Sequence, residues 1–87
     1  MQGRFNELIE LLRKALKLKH NYPDAHNNLG IALHEQGDLD AAVASYKTAL
    51  KLDPNHSSAH YNLGDALQDK GDLTAAIASY NKALQLN

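Results

Sequence analysis

Ala25–Pro54 reads AHNNLGIALHEQGDLDAAVASYKTALKLDP, and 34 residues further on Ala59–Asn87 reads AHYNLGDALQDKGDLTAAIASYNKALQLN. Laid together without a gap, Ala25–Asp53 and Ala59–Asn87 are identical at 18 of 29 positions. Self-similarity at a fixed period of roughly 20–50 residues marks a chain of stacked units. Each is too small to close a core alone and buries its apolar face on the next.

Within a unit the spacing is helical and the punctuation is clear. From about Pro23 to Gln36 one helix, A, is expected, with proline at a first helical position where its missing N–H costs nothing. It ends at Gly37, which can take a left-handed cap. Asp38 then caps a second helix, B, from about Leu39 to Leu52, by offering its carboxylate to the first-turn N–H groups. Asp53-Pro54 stops that helix, and Gly71 and Asp72 repeat the scheme toward a last helix ending near Leu86.

Upstream, Phe5, Leu8, Ile9, Leu12, Ala15 and Leu16 recur at helical spacing between Gly3 and Lys19, with Leu11 off the stripe. Shifted by 34, Phe5 meets Leu39, Ile9 meets Val43, Leu12 meets Tyr46, Ala15 meets Ala49 and Leu16 meets Leu50. This segment is a B helix without its A partner. Five helices are expected in the order B, A, B, A, B, divided as 1–22, 23–56 and 57–87.

The recurring residues are His26-x2-Leu29-Gly30-x2-Leu33, Ala42-x3-Tyr46 and Pro54, then His60-x2-Leu63-Gly64-x2-Leu67 and Ala76-x3-Tyr80. They resemble the tetratricopeptide repeat, with His in place of the usual Trp and Leu in place of the second aromatic. The resemblance implies an all-α, right-handed solenoid of helix-turn-helix units whose A helices line a concave, protein-binding face. It also implies close A–B packing, with Gly30 and Gly64 facing Ala42 and Ala76, and with His26 and His60 filling the aromatic slot. Leu8 departs from the pattern, standing where the later units have alanine.

Composition narrows the function classes. With 44% hydrophobic residues the chain is an ordinary folded protein, and without cysteine it has neither disulfides nor thiolate metal ligands. No segment reaches the ~20 apolar residues of a membrane span and no signal-peptide core opens the chain, so a cytoplasmic protein that does not enter membranes is expected. The net charge of −1 divides into +3 over residues 1–22 and −4 over residues 23–87. The basic first helix brings no aromatic platform or reading motif, which argues for a solvated face and against nucleic acid.

On the concave face the resemblance places Asp24, Asn27, Asn28, Ile31, His34 and Glu35 from one A helix. From the other come Ser58, Tyr61, Asn62, Asp65, Gln68 and Asp69. Asn28 and Asn62 are equivalent, and a side-chain amide can both donate to and accept from the backbone of an extended peptide. The pair is similar to the asparagine ladder of protein O-glycosyltransferase repeat regions; the plainer reading is a solvated helix surface. The carboxylate clamp that grips chaperone C-termini in this family is incomplete, since Asn27 and Ile31 replace its lysine and first asparagine and only Asn62 fits. Asp24, Glu35, Asp65 and Asp69 favour a neutral or basic peptide over an acidic one.

His56 and His60 stand four apart, but one lies in a turn, so no metal site is expected. Ser45, Ser57, Ser58 and Ser79 lack any base-and-orienter pattern, so neither catalysis nor a cofactor is expected. The leading expectation is a non-enzymatic module that binds a protein or peptide. Alternatives are self-assembly through uncapped ends, by way of Leu8, Leu11, Leu12, Ile77, Tyr80 and Leu84, and the recognition segment of a larger enzyme such as a glycosyltransferase.

Overall fold

A computed structural model describes residues 2–86, which form five helices: α1 (Gln2–Leu18), α2 (Pro23–Glu35), α3 (Leu39–Leu52), α4 (Ser57–Asp69) and α5 (Leu73–Leu86). Met1 and Asn87, the outer limits of the first and last units read from the sequence, lie outside the described residues. The described residues contain no strand. Each helix packs on the next, and α2 also touches α4, so the A helices lie side by side along one face of an all-α solenoid.

The turns follow from glycine. Gly37 and Gly71 have φ of +84° and +88°, and in each turn two N–H groups fold back on the last helical carbonyls. Gly37 donates to His34 and Asp38 to Leu33, both at 2.9 Å, and Gly71 and Asp72 do the same to Gln68 and Leu67. This is the Schellman arrangement, which satisfies carbonyls that the helix end would otherwise orphan. Asp38 and Asp72 then accept from the backbone N–H groups of Ala41 and Ala75. Pro23 begins α2 at its first turn, and Tyr22 before it gives no side-chain cap.

Small residues set the helix spacing. Ala32, Ala42, Ala49, Ala59 and Ala66 are sealed, and Tyr46 is the one large described side chain buried as completely, at 1% exposure. Around it lie Leu29 and Leu33 from α2, Val43 from α3, and Leu63 and Leu67 from α4, with Ile9 and Leu16 extending the core into α1. Burying each such side chain contributes roughly 1.5–3 kcal/mol before chain entropy is charged against it.

Two packing details differ from the sequence reading. A β-carbon at Gly30 would lie 2.5 Å from Cε1 of Tyr46, and one at Gly64 would lie 2.7 Å from Cε1 of Tyr80. The glycines therefore receive the tyrosine ring one turn beyond Ala42 and Ala76. The alanines set the approach of the backbones, and the glycine accommodates the ring that approach traps. His26 and His60 also do more than pack, because their Nε2 atoms bond the carbonyls of His20 and Pro54 at 2.8 and 2.9 Å. Each thus locks the turn after the preceding B helix.

A candidate peptide groove

Between α2, α4 and α5 there is an open groove of about 750 Å3, lined by Asn27, Ile31, Ser57, Ser58, Tyr61, Asn62, Tyr80, Ala83 and Leu84. Five of the concave-face candidates, Asn27, Ile31, Ser58, Tyr61 and Asn62, come together in its wall. Asn28, Glu35, Gln68 and Asp69 are exposed on the same two helices outside the lining, and His34 and Asp65 are half-buried there. Tyr80 and Leu84, self-association candidates in the sequence, form the far wall.

In the first unit α4 packs over α3, so Val43 and Tyr46 are buried and Leu50 is half-buried. On α5 the counterparts line or flank the groove: Leu84 is 71% exposed, Ile77 60%, and Tyr80 half-buried. Opposite them Tyr61 stands 54% exposed, its ring tilted 53° to that of Tyr80 at a centroid separation of 5.5 Å. Exposed aromatic and aliphatic side chains around a concave surface offer contact area at little entropic cost to a bound chain.

Polar groups along the rim are tied down. Nδ2 of Asn62 donates to Oδ1 of buried Asn27 at 3.1 Å, while Asn28, the position equivalent to Asn62, is exposed. His34 Nε2 meets Asp69 at 2.6 Å and His56 Nε2 meets Asp24 at 2.7 Å, two links between α2 and α4. Nδ1 of His56 accepts from the N–H of Ala59 at 3.1 Å, which places the ring proton on Nε2 and lets a neutral imidazole donate to Asp24. Sequence reading saw His56 only as half of a weak metal pair, whereas it is the N-cap of α4. Among the described residues, no group of three potential ligands is placed to hold a metal ion.

The Tyr80 hydroxyl donates to Asp65 and lies 2.9 Å from Oε1 of Gln68. That bond to Asp65 is the main reason its phenol pKa is pushed up to about 12, burial and the nearby charge adding to it. For Tyr46 burial comes first, with the charges of Asp65 and Glu35 behind it, and the result is again about 12. Asp24, Glu35, Asp65 and Asp69 set four carboxylates on α2 and α4, outside the groove lining, with Asp24, Asp65 and Asp69 each bonded to a neighbouring ring.

Comparison with known proteins agrees with this architecture. Family models described as TPR repeat match residues 1–37 and 32–71, and one described as Tetratricopeptide repeat matches residues 57–87. No curated protein matches the chain significantly. Among solved structures, a crystal structure of MamA superposes with a TM-score of 0.86 at 29% identity, over 90% of this chain and 46% of that one. A second MamA structure, AMB-1, gives 0.90 at 27% identity over 97% and 50%. The chain thus spans about half the length of these MamA chains. The first TPR of Spaghetti (RPAP3), bound to the HSP90 peptide SRMEEVD, gives 0.95 at 22% identity over 99% and 68%, a likeness of fold.

Proposed function

This chain belongs to the tetratricopeptide repeat family, and from that premise we propose that it binds an extended segment of a partner protein in the groove between α2, α4 and α5. The observation that carries the reading is the juxtaposition of exposed Ile31, Tyr61 and Leu84 around one open groove, with the carboxylates of Asp24, Glu35, Asp65 and Asp69 on the same A helices outside its lining. The RPAP3 repeat domain, of the same fold, holds a peptide. Here the clamp residues for an acidic C-terminus are replaced by Asn27 and Ile31, and Asp65 and Glu35 disfavour a second negative charge. The preferred ligand is therefore neutral or basic, with apolar side chains for the Tyr61–Leu84 floor.

On this reading, residues 1–22 contribute a B helix, and the units 23–56 and 57–87 supply the groove. Asn28, exposed and without a side-chain partner among the described residues, can bond the ligand backbone. Asn62 offers its remaining donor and acceptor capacity. A module of this kind carries no catalytic role of its own and uses no cofactor. As the recognition segment of a larger enzyme it would act in the same way.

The test is selection of peptides from a display library, followed by titration against variants. Tyr61→Ala and Asn28→Ala should each weaken a selected peptide while leaving melting almost unchanged, because both side chains are exposed. Peptides that ignore both changes yet are lost on altering Lys47 or Lys51 of α3 would place binding elsewhere.

A further inference from the structure

We propose that the exposed face of α1 is a homodimer interface, in which two copies of α1 pair antiparallel about a two-fold axis. The helix carries two apolar stripes. One, formed by Phe5, Ile9, Leu12 and Leu16, is seated toward α2, with Ile9 and Leu16 buried and Leu12 packed against the core. The other consists of Leu8, Leu11, Ala15 and Leu18, with Arg4 preceding it. All five are exposed, the leucines at 44%, 58% and 90%. Steps of 4, 3, 4 and 3 residues from Arg4 to Leu18 are those of a coiled-coil seam.

This second stripe is not a vacant socket for a helix like α2. In α3 the matching positions are Ala42, Ser45 and Ala49, and in α5 they are Ala76, Ser79 and Ala83, all buried. Their small side chains let the A and B backbones of each pair come close. On α1 the first two positions are Leu8 and Leu11. A helix approaching as closely as α2 does on α3 would collide with both. Leucines at such spacing instead suit interdigitation with leucines of a facing helix.

The flanking charges select the occupant and its direction. Along one side of the stripe runs the seam with α2, marked by Phe5 and Leu12; along the other stand Glu7 and Lys14, seven residues apart. When Leu8 faces Leu11 of an antiparallel second copy, heptad geometry brings Glu7 of each copy against Lys14 of the other, so the two pairs form reciprocally. The same register sets Arg4 against Ala15, whose small side chain leaves room for the arginine stem. A parallel pairing would set Lys14 against Lys19 and is disfavoured. The contact is self-complementary, so it closes at two copies and cannot propagate, and it leaves the peptide groove free. Of the residues that sequence reading proposed for self-association, Leu8 and Leu11 serve this surface while Leu12 belongs to the core.

Sedimentation of the 87-residue chain over a concentration series to millimolar tests the proposal. Its mass should rise from monomer to dimer and stop there. Leu8→Glu with Leu11→Glu should leave a monomer with an unchanged helical spectrum. Glu7→Lys should weaken the dimer roughly three- to tenfold by turning two attractions into repulsions, and Glu7→Lys with Lys14→Glu should restore it. A constant monomer mass would overturn the proposal, as would growth beyond the dimer. So would an association that survives the paired leucine change and is lost with Leu84→Glu.

Discussion

Adding one methyl group at Gly30 should cost far more than adding the same group at Gly64, although the two glycines are equivalent in the repeat. At Gly30 the new carbon would lie 2.5, 2.6 and 3.0 Å from three ring atoms of Tyr46; at Gly64 it would lie 2.7, 2.8 and 3.1 Å from the same atoms of Tyr80. The clashes are nearly equal, but the rings differ in freedom. Tyr46 is 1% exposed and enclosed by α2, α3 and α4, whereas Tyr80 stands half-buried at the open groove, where its ring has room to shift at the expense of its hydroxyl bonds to Asp65 and Gln68. Overpacking a closed site costs about 1–3 kcal/mol, and alanine in a helix returns about 0.5–1 kcal/mol over glycine. Gly30→Ala should therefore destabilise by about 1–2 kcal/mol, and Gly64→Ala by well under 1 kcal/mol. For a domain of this size that is a fall in Tm of roughly 5–15 °C against a few degrees. Urea or thermal unfolding followed by circular dichroism reads both, and adding Tyr46→Leu should recover part of the Gly30→Ala loss. Equal losses at the two glycines, or no recovery, would refute the claim that these residues exist to seat the ring.

Other outcomes follow from single features. Gly37→Ala meets no neighbour within 4 Å, yet φ of +84° should cost it about 1–2 kcal/mol in the same assay, a pure backbone effect. Asn62→Ala should destabilise by about 1–3 kcal/mol, because it leaves the buried Asn27 amide unpaired, while Asn28→Ala should do almost nothing. Tyr46 and Tyr80 keep their protons to about pH 12 in the fold, and an unfolded tyrosine releases its own near pH 10. Their contribution is fully present below pH ~10 and is lost as pH rises toward 12, so midpoints from denaturant melts should fall across that window and fall less in Tyr46→Phe.

Nearly all of the architecture was legible in the sequence because a repeat shows its own alignment. Gly37 and Asp38 mark a turn and Ala42 and Ala49 a close approach, and each recurs 34 residues on, while Pro23 marks the start of α2 alone, Ser57 standing in its place at the start of α4. Less legible was whatever depends on which neighbour arrives. Asn27 and Asn62 differ by 35, one more than the period, so their hydrogen bond falls outside the repeat pattern. His56 takes its role from Asp24, a residue 32 positions earlier that only the stacking of α4 on α2 brings near. Tyr46 and Tyr80 read as equivalents, yet one is core and the other groove wall, because among the described residues α4 covers α3 and with it Tyr46. Helical spacing sets Leu11 off the stripe but keeps Leu8 on it beside Leu12, and Leu8 is exposed, since which leucines of α1 are buried depends on where α2 lies.

The groove between α2, α4 and α5 is the central claim, and amide chemical-shift mapping with a selected peptide tests it most directly. Perturbations concentrated at Ile31, Tyr61, Asn62, Tyr80 and Leu84 are expected, with those of Lys47, Thr48 and Lys51 on α3 unmoved. Shifts clustered on α3 and absent from Tyr61 and Leu84 would contradict the account.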